Sequence, residues 1–334
     1  MRSTVTIYQY SEGSPTYPTL YSERNAEGVP IPFSAMSGLS NDPNDDDTLY
    51  CVEDSFYKSS RMFVIDISSS PAVLTAGIKL VDSSGVFASV SPYGEFSADD
   101  LSAMINEDMT VNIDPEGIAA VGDGTFWIVS EGRGTVGDAD RPIESLNFLF
   151  KVNTSGEILE VVTLPDEIND IQLRFGLEGV TVTDGGMVVV AFQRAWGDNA
   201  EPYLGCYDTN TQEWTFVFYP LDAPESQYGG WVGLSDISWV GDMSFYVLER
   251  DNQGGPDASI KRIYSIDLEG VSDGDTVSKT FLRDLIPDYV ATGGLVMEKV
   301  EGMAVTGSGV WIINDNDGVD DNSGETQLLN LGSF

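Results

Sequence analysis

Five times along the chain a short polar step, usually ending in glycine, opens an apolar run, and after a turn a second apolar run ends in polar residues. The steps begin Ser37-Gly38-Leu39, Glu116-Gly117-Ile118, Glu178-Gly179-Val180, Ser235-Asp236-Ile237 and Glu301-Gly302-Met303. The second runs include Leu49-Tyr50-Cys51-Val52-Glu53-Asp54, Phe126-Trp127-Ile128-Val129-Ser130-Glu131, Val188-Val189-Val190-Ala191-Phe192-Gln193, Phe245-Tyr246-Val247-Leu248-Glu249-Arg250 and Val310-Trp311-Ile312-Ile313-Asn314-Asp315. A third strand follows in each unit, as in Met62-Phe63-Val64-Ile65, and a fourth in some, as in Trp214-Thr215-Phe216-Val217-Phe218. Four antiparallel strands per repeat make a propeller blade, so the chain reads as all-β, a β-propeller.

The repeat positions Gly38, Gly117, Gly179, Asp236 and Gly302 lie 79, 62, 57 and 66 residues apart, longer than common propeller repeats, so the loops on one face are long. Five blades is the direct count. A sixth would have to lie in the longest step, where Ser97 to Asn106 reads instead as a short helix with Ser97 as its N-cap and Asp99 and Asp100 in the first turn. After Gly302 only 32 residues remain, enough for three strands. Residues 1–334 therefore read as one domain whose last blade takes its outer strand from Val5-Thr6-Ile7-Tyr8. An open sandwich, or two separate β domains, would explain the apolar runs but not their repeated order.

Charge sets limits on function. The 16 Lys and Arg against 54 Asp and Glu give a net charge of −38, which repels nucleic acid and anionic lipid. No stretch is long and apolar enough to span a membrane. There is no histidine, which removes a Ser-His-Asp triad and a His-bound metal site. Gly270-Val271-Ser272-Asp273-Gly274 matches a nucleophile elbow only in letters, and reads as a turn. Cys51 and Cys206 lie in apolar runs of distant repeats and read as buried free thiols. The acidity favours an exported setting, extracellular or periplasmic, with any leader removed or the chain forming part of a larger secreted protein.

The start of the first strand and the end of the second lie on one face of a blade. That places Asp114, Glu116, Glu178, Asp236 and Glu301 at a channel mouth. Outside them come Glu53, Asp54, Glu131, Arg133, Gln193, Arg194, Glu249, Arg250, Asp251, Asn314, Asp315 and Asp317. Facing carboxylates repel unless they are protonated, paired with arginine or bridged by a cation, and calcium takes six to eight oxygen ligands. Arg133, Arg194 and Arg250 would equally serve as structural counter-charges. The stretch from Asp315 to Glu325 alternates oxygen donors with glycine but is not an EF-hand, because Val319 stands at a ligand position.

These residues together resemble the phytase-like esterase family, from about Ser37 to the C-terminus. The resemblance rests on Ser37-Gly38-Leu39, Asp114-Pro115-Glu116-Gly117-Ile118 with Ser130-Glu131-Gly132, Gly176-Leu177-Glu178-Gly179, Gly233-Leu234-Ser235-Asp236 with Val247-Leu248-Glu249-Arg250, and Val300-Glu301-Gly302-Met303 with Asn314-Asp315-Asn316. It implies a propeller, frequent export and hydrolytic activity. Similar-looking propeller phytases hold calcium in a carboxylate-rich channel mouth, where the ions bind phosphate and activate water, a chemistry that needs no histidine. Gln193-Arg194 stands where other units carry an acid.

On this reading Glu116, Glu178 and Glu301 are catalytic, and Arg133, Arg194 and Arg250 bind a small phosphorylated or ester substrate. Asp114, Asp236, Glu131, Glu249, Asp315 and Asp317 are the expected calcium ligands. The competing reading is a secreted binding or adhesion module whose acids bind calcium only for stability.

Overall fold

The structure, a computed structural model, describes residues 9–11, 14–16, 21–22, 31–55, 58–317 and 326–334. Five antiparallel sheets follow one another along the chain, each laid down from an inner strand outward. Blade one comprises Met36–Asp42, Asp45–Glu53, Arg61–Asp66 and Val73–Lys79, with Tyr21–Ser22 added parallel at its outer edge. Blade two runs Pro115–Ala120, Thr125–Ser130, Phe148–Asn153 and Ile158–Thr163. Blade three is Leu177–Val182, Met187–Phe192, Tyr203–Asp208 and Glu213–Phe218. Blade four is Val232–Gly241, Ser244–Asp251, Lys261–Asp267 and Lys279–Asp284, and blade five is Val300–Thr306, Gly309–Asn314 and Leu328–Asn330.

Each inner strand packs beside the next, and Val300–Thr306 packs back against Met36–Asp42, which closes a five-bladed ring. Val5 to Tyr8, expected to supply the last outer strand, lie outside the described residues; the neighbouring Gln9–Ser11 lies near Leu328–Asn330. The long first step holds the short helix Ala98–Ala103 rather than a sixth blade. Ser97 caps it, accepting from the Asp100 N–H while the Asp100 carboxylate accepts from the Ser97 N–H.

The unbroken apolar runs have a direct cause. A strand shows alternate residues to opposite faces, and a blade inside a ring has another blade on each face. In Met187–Phe192, Val188 and Val190 pack towards blade two while Val189 and Ala191 pack towards blade four. Five apolar clusters result, one in each wedge between neighbouring blades. Cys51 and Cys206 are buried, unpaired members of two of them.

The recurring glycine answers to crowding at the axis. A Cβ on Gly117 would stand 2.5 Å from the Glu178 carbonyl oxygen, and one on Gly302 2.5 Å from the Ser37 carbonyl oxygen. Blade four carries Asp236 in the same place. Its carboxylate accepts from Ile237 at 2.8 Å and Met303 at 2.7 Å, and is also hydrogen-bonded by the backbone N–H groups of Leu39 and Val180. One side chain thus ties together backbone from blades one, three, four and five.

Asp236→Asn presents an amide NH₂ to donors that need an acceptor, and Asp236→Ala leaves them without one. Each substitution is expected to cost at least about 2 kcal/mol of stability. Thermal melts in EGTA test this, since an unchanged melting temperature for both variants would show that the carboxylate does not hold the ring.

Candidate functional site

Each inner strand contains a bulge at the repeat step. The pairing passes from Pro115–Ser130 to Gly117–Val129, from Leu177–Phe192 to Gly179–Ala191, from Leu234–Glu249 to Asp236–Leu248 and from Val300–Asn314 to Gly302–Ile313. Glu116, Glu178, Ser235 and Glu301 are therefore the extra residues, freed from the ladder. A bulge re-aims the side chain it carries. Here it turns three glutamates into one cavity of about 590 Å³ at the channel mouth.

That cavity is lined by Asp54, Asp114, Glu116, Glu131, Glu178 and Glu301 together with Arg133, Arg250 and Lys299. Every bulge glutamate has one fixed partner. Ser37 Oγ donates to Glu116 at 2.7 Å, Gln193 Nε2 to Glu178 at 2.5 Å and Arg250 Nη2 to Glu301 at 2.5 Å. The Gly176 N–H donates to Glu131 at 2.7 Å. Gln193, where other repeats carry an acid, thus serves as a neutral donor.

Two carboxylate groups meet at Asp54. Its oxygens lie within 4.8 Å of those of Asp114 and Glu116 on one side and of Asp315 and Asp317 on the other. Lys299 reaches into the second group, its Nζ 3.1 Å from Asp315 and also bonded to Asp317.

Burial and mutual repulsion govern the protons. Asp54 is pushed up to about 7, first by burial and then by the charge of Asp114 and a shared hydrogen bond with it. Glu116 is raised well above the ordinary range by burial and the charge of Glu178, Glu131 by burial and Asp114, and Glu178 by burial and Glu131. Asp315 rises through burial and Glu301. Despite burial, Glu301 and Asp315 keep the Lys299 ammonium charged.

The structure brings Asp114, Glu116, Glu131, Arg133, Glu178, Arg250 and Glu301 to the cavity wall, with Asp315 and Asp317 beside Asp54. It does not bring Asp236 or Glu249 there. Asp236 lies on the axis with its oxygens taken by backbone N–H groups. Glu249 is buried on the far side of its blade, bonded by Lys279 at 2.7 Å, Tyr219 at 3.1 Å and the Asp222 N–H at 2.7 Å. Arg133 is exposed, 3.6 Å from Glu144. Arg194 stands over the rings of Phe175 and Trp231. Residues 318–325 of the acidic loop lie outside the described residues.

The repeat pattern places Asp54 at the end of a second run without naming it as a ligand, and it passes over Lys299, which lies one position before an inner strand.

A family model described as "Phytase-like: Esterase-like activity of phytase" matches residues 31–318. The chain belongs to this phytase-like family. The family's description is hydrolytic, and its typical metal dependence meets two carboxylate groups that could hold an ion. No curated protein matches the chain. Among solved structures, luciferin-regenerating enzyme aligns over 96% of this chain and 87% of its own, at 9% identity and a TM-score of 0.43.

A carboxyl that holds its proton when folded stabilises the fold at low pH, and that stability is lost as pH rises through its folded pKa. In EGTA, Asp54→Asn removes this loss. The variant is expected to melt close to wild type at about pH 4, near the unfolded aspartate value, and several degrees above it at about pH 8, past the Asp54 value near 7. An equal gap at both pH values would show that Asp54 does not titrate in this window.

Proposed function

We propose that the chain is a calcium-dependent hydrolase of phosphoesters or carboxylic esters, acting on a small substrate in the acidic cavity. The observation that carries this reading is the pair of carboxylate groups sharing Asp54 inside a family described by esterase-like activity. The donors are all oxygen, with no histidine in the chain and no cysteine at the site, and such a set suits a hard divalent ion over a transition metal. Asp54, Asp114 and Glu116 would hold one ion; Asp54, Asp315 and Asp317 would hold another, with Lys299 moving aside. When bound, such an ion neutralises the carboxylates and polarises a phosphoryl or carbonyl oxygen.

The remaining groups have separate tasks. Glu178 and Glu301, fixed by Gln193 and Arg250, face the same cavity and can exchange a proton with a reacting group. Glu131, anchored by the Gly176 N–H, is a third such group. Arg133 at the rim is free enough to turn towards an anionic oxygen. An exported setting, extracellular or periplasmic, supplies calcium at about the millimolar level that weak sites need.

A binding module stabilised by calcium is the second reading, and the pairing of Arg250 with Glu301 favours it, because that guanidinium already has its acid. Turnover separates the two. The wild type is expected to hydrolyse at least one of phytate, p-nitrophenyl phosphate and p-nitrophenyl acetate with calcium and to stop in EGTA. Glu178→Gln should lower kcat by about tenfold or more with little change in melting temperature. Absence of turnover above a heat-denatured control would leave the binding module as the better account.

A further inference from the structure

Arginine in so acidic a chain is expected to find a carboxylate. Arg61, Arg250, Arg262 and Arg283 each do, and so do Lys261, Lys279 and Lys299. Arg141, Arg174 and Arg194 do not, and Arg174 and Arg194 lie together. Among the described residues neither of that pair has a carboxylate partner or donates a hydrogen bond to the protein. They lie close enough for the charge of Arg174, after burial, to push the Arg194 guanidinium below its ordinary value. Two like charges held together without an acid, in a chain of −38, leave both guanidinium groups open to an anionic ligand.

Aromatic rings hold them in place. The Arg174 guanidinium lies 4.4 Å from the Phe175 ring, and Arg194 lies 4.9 Å from Phe175 and 5.2 Å from Trp231. Phe175 and Trp231 are themselves 5.3 Å apart. Hydrogen bonds hold the backbone that carries both rings: Trp196 Nε1 donates to the Phe175 carbonyl at 2.7 Å, and the Trp231 N–H donates to Asn252 Oδ1 at 2.8 Å. Stacking orients a guanidinium by its face and leaves the N–H fork at its edge for a planar or tetrahedral anion. Arg174, Phe175 and Trp231 line the same cavity as the carboxylates, and Arg194 stands against the two rings.

We propose that Arg174 and Arg194, stacked on Phe175 and Trp231 at the rim of the cavity, form an anion-binding subsite separate from the carboxylate centre. It takes a phosphate or carboxylate group carried by the ligand. If the hydrolase reading holds, the substrate therefore bears an anionic group besides the ester presented to the carboxylates. The subsite itself needs no metal.

The test is a titration of inorganic phosphate, with acetate in parallel, into the full chain in EGTA at fixed ionic strength, followed by calorimetry and by tryptophan fluorescence. Wild type is expected to saturate with at least one anion at about millimolar Kd, and the preferred anion tells phosphate from carboxylate. Arg174→Ala and Arg194→Ala should each weaken this by about tenfold, and Arg194→Lys, which keeps the charge but not the fork, should recover part of it. Both sites are half-exposed or exposed, so melting temperatures close to wild type are expected and would confirm folded variants. No saturable binding of either anion, or unchanged affinity in both alanine variants, overturns the proposal. Because the titration needs no turnover, its result stands whether or not the chain proves to be a hydrolase.

Discussion

The close approach of five inner strands around one axis governs the rest of the molecule. At the point of nearest contact a side chain has no room, and four of the five strands meet that demand with glycine. The fifth meets it with Asp236, whose carboxylate is consumed as a shared acceptor for backbone from four blades. The residue before each of these crowded positions is bulged out of its ladder, and in three blades that residue is glutamate. Ring closure and the acidic cavity are therefore one geometric event, repeated.

Charge then has to be reconciled with burial. Glutamates placed together at low exposure cannot all ionise, because desolvation and mutual repulsion both favour the protonated form. The chain offers partial remedies in Ser37, Gln193, Arg250 and Lys299, one donor or cation to each acid or small group of acids. Asp54, buried beside the charge of Asp114, is left raised to about 7. A divalent ion would resolve that arrangement at once, which is the physical ground for proposing a cation there. Lys299 already supplies a single positive charge between Asp315 and Asp317.

The fold was readable because blade-on-blade packing imposes the same two-sided burial on every unit, so runs such as Met187–Phe192 and Gly309–Asn314 are apolar without alternation. The glutamate-glycine step was readable for the related reason that the axis admits so little variation. Legibility fails where geometry is set by only one blade. Glu249 and Glu53 hold one and the same repeat position, immediately before Arg250 and Asp54, and they are taken by Lys279 on the outer strand of its blade and by Arg61 on the neighbouring strand. No repeat pattern reveals that a lysine on an outer strand will claim one acid and leave another. Arg174 and Phe175 were invisible for a different reason, since they lie in a loop between blades two and three, and Phe175 meets Trp231 across 56 residues of sequence.

Anomalous diffraction from crystals soaked in calcium tests most directly whether the carboxylates meeting at Asp54 hold a cation. Ordered calcium is expected between Asp54, Asp114 and Glu116, with a second ion displacing Lys299 from Asp315 and Asp317. Calcium confined to surface loops, with Lys299 still joining those two aspartates and Asp54 still bonded to Asp114, would contradict a cation site at Asp54.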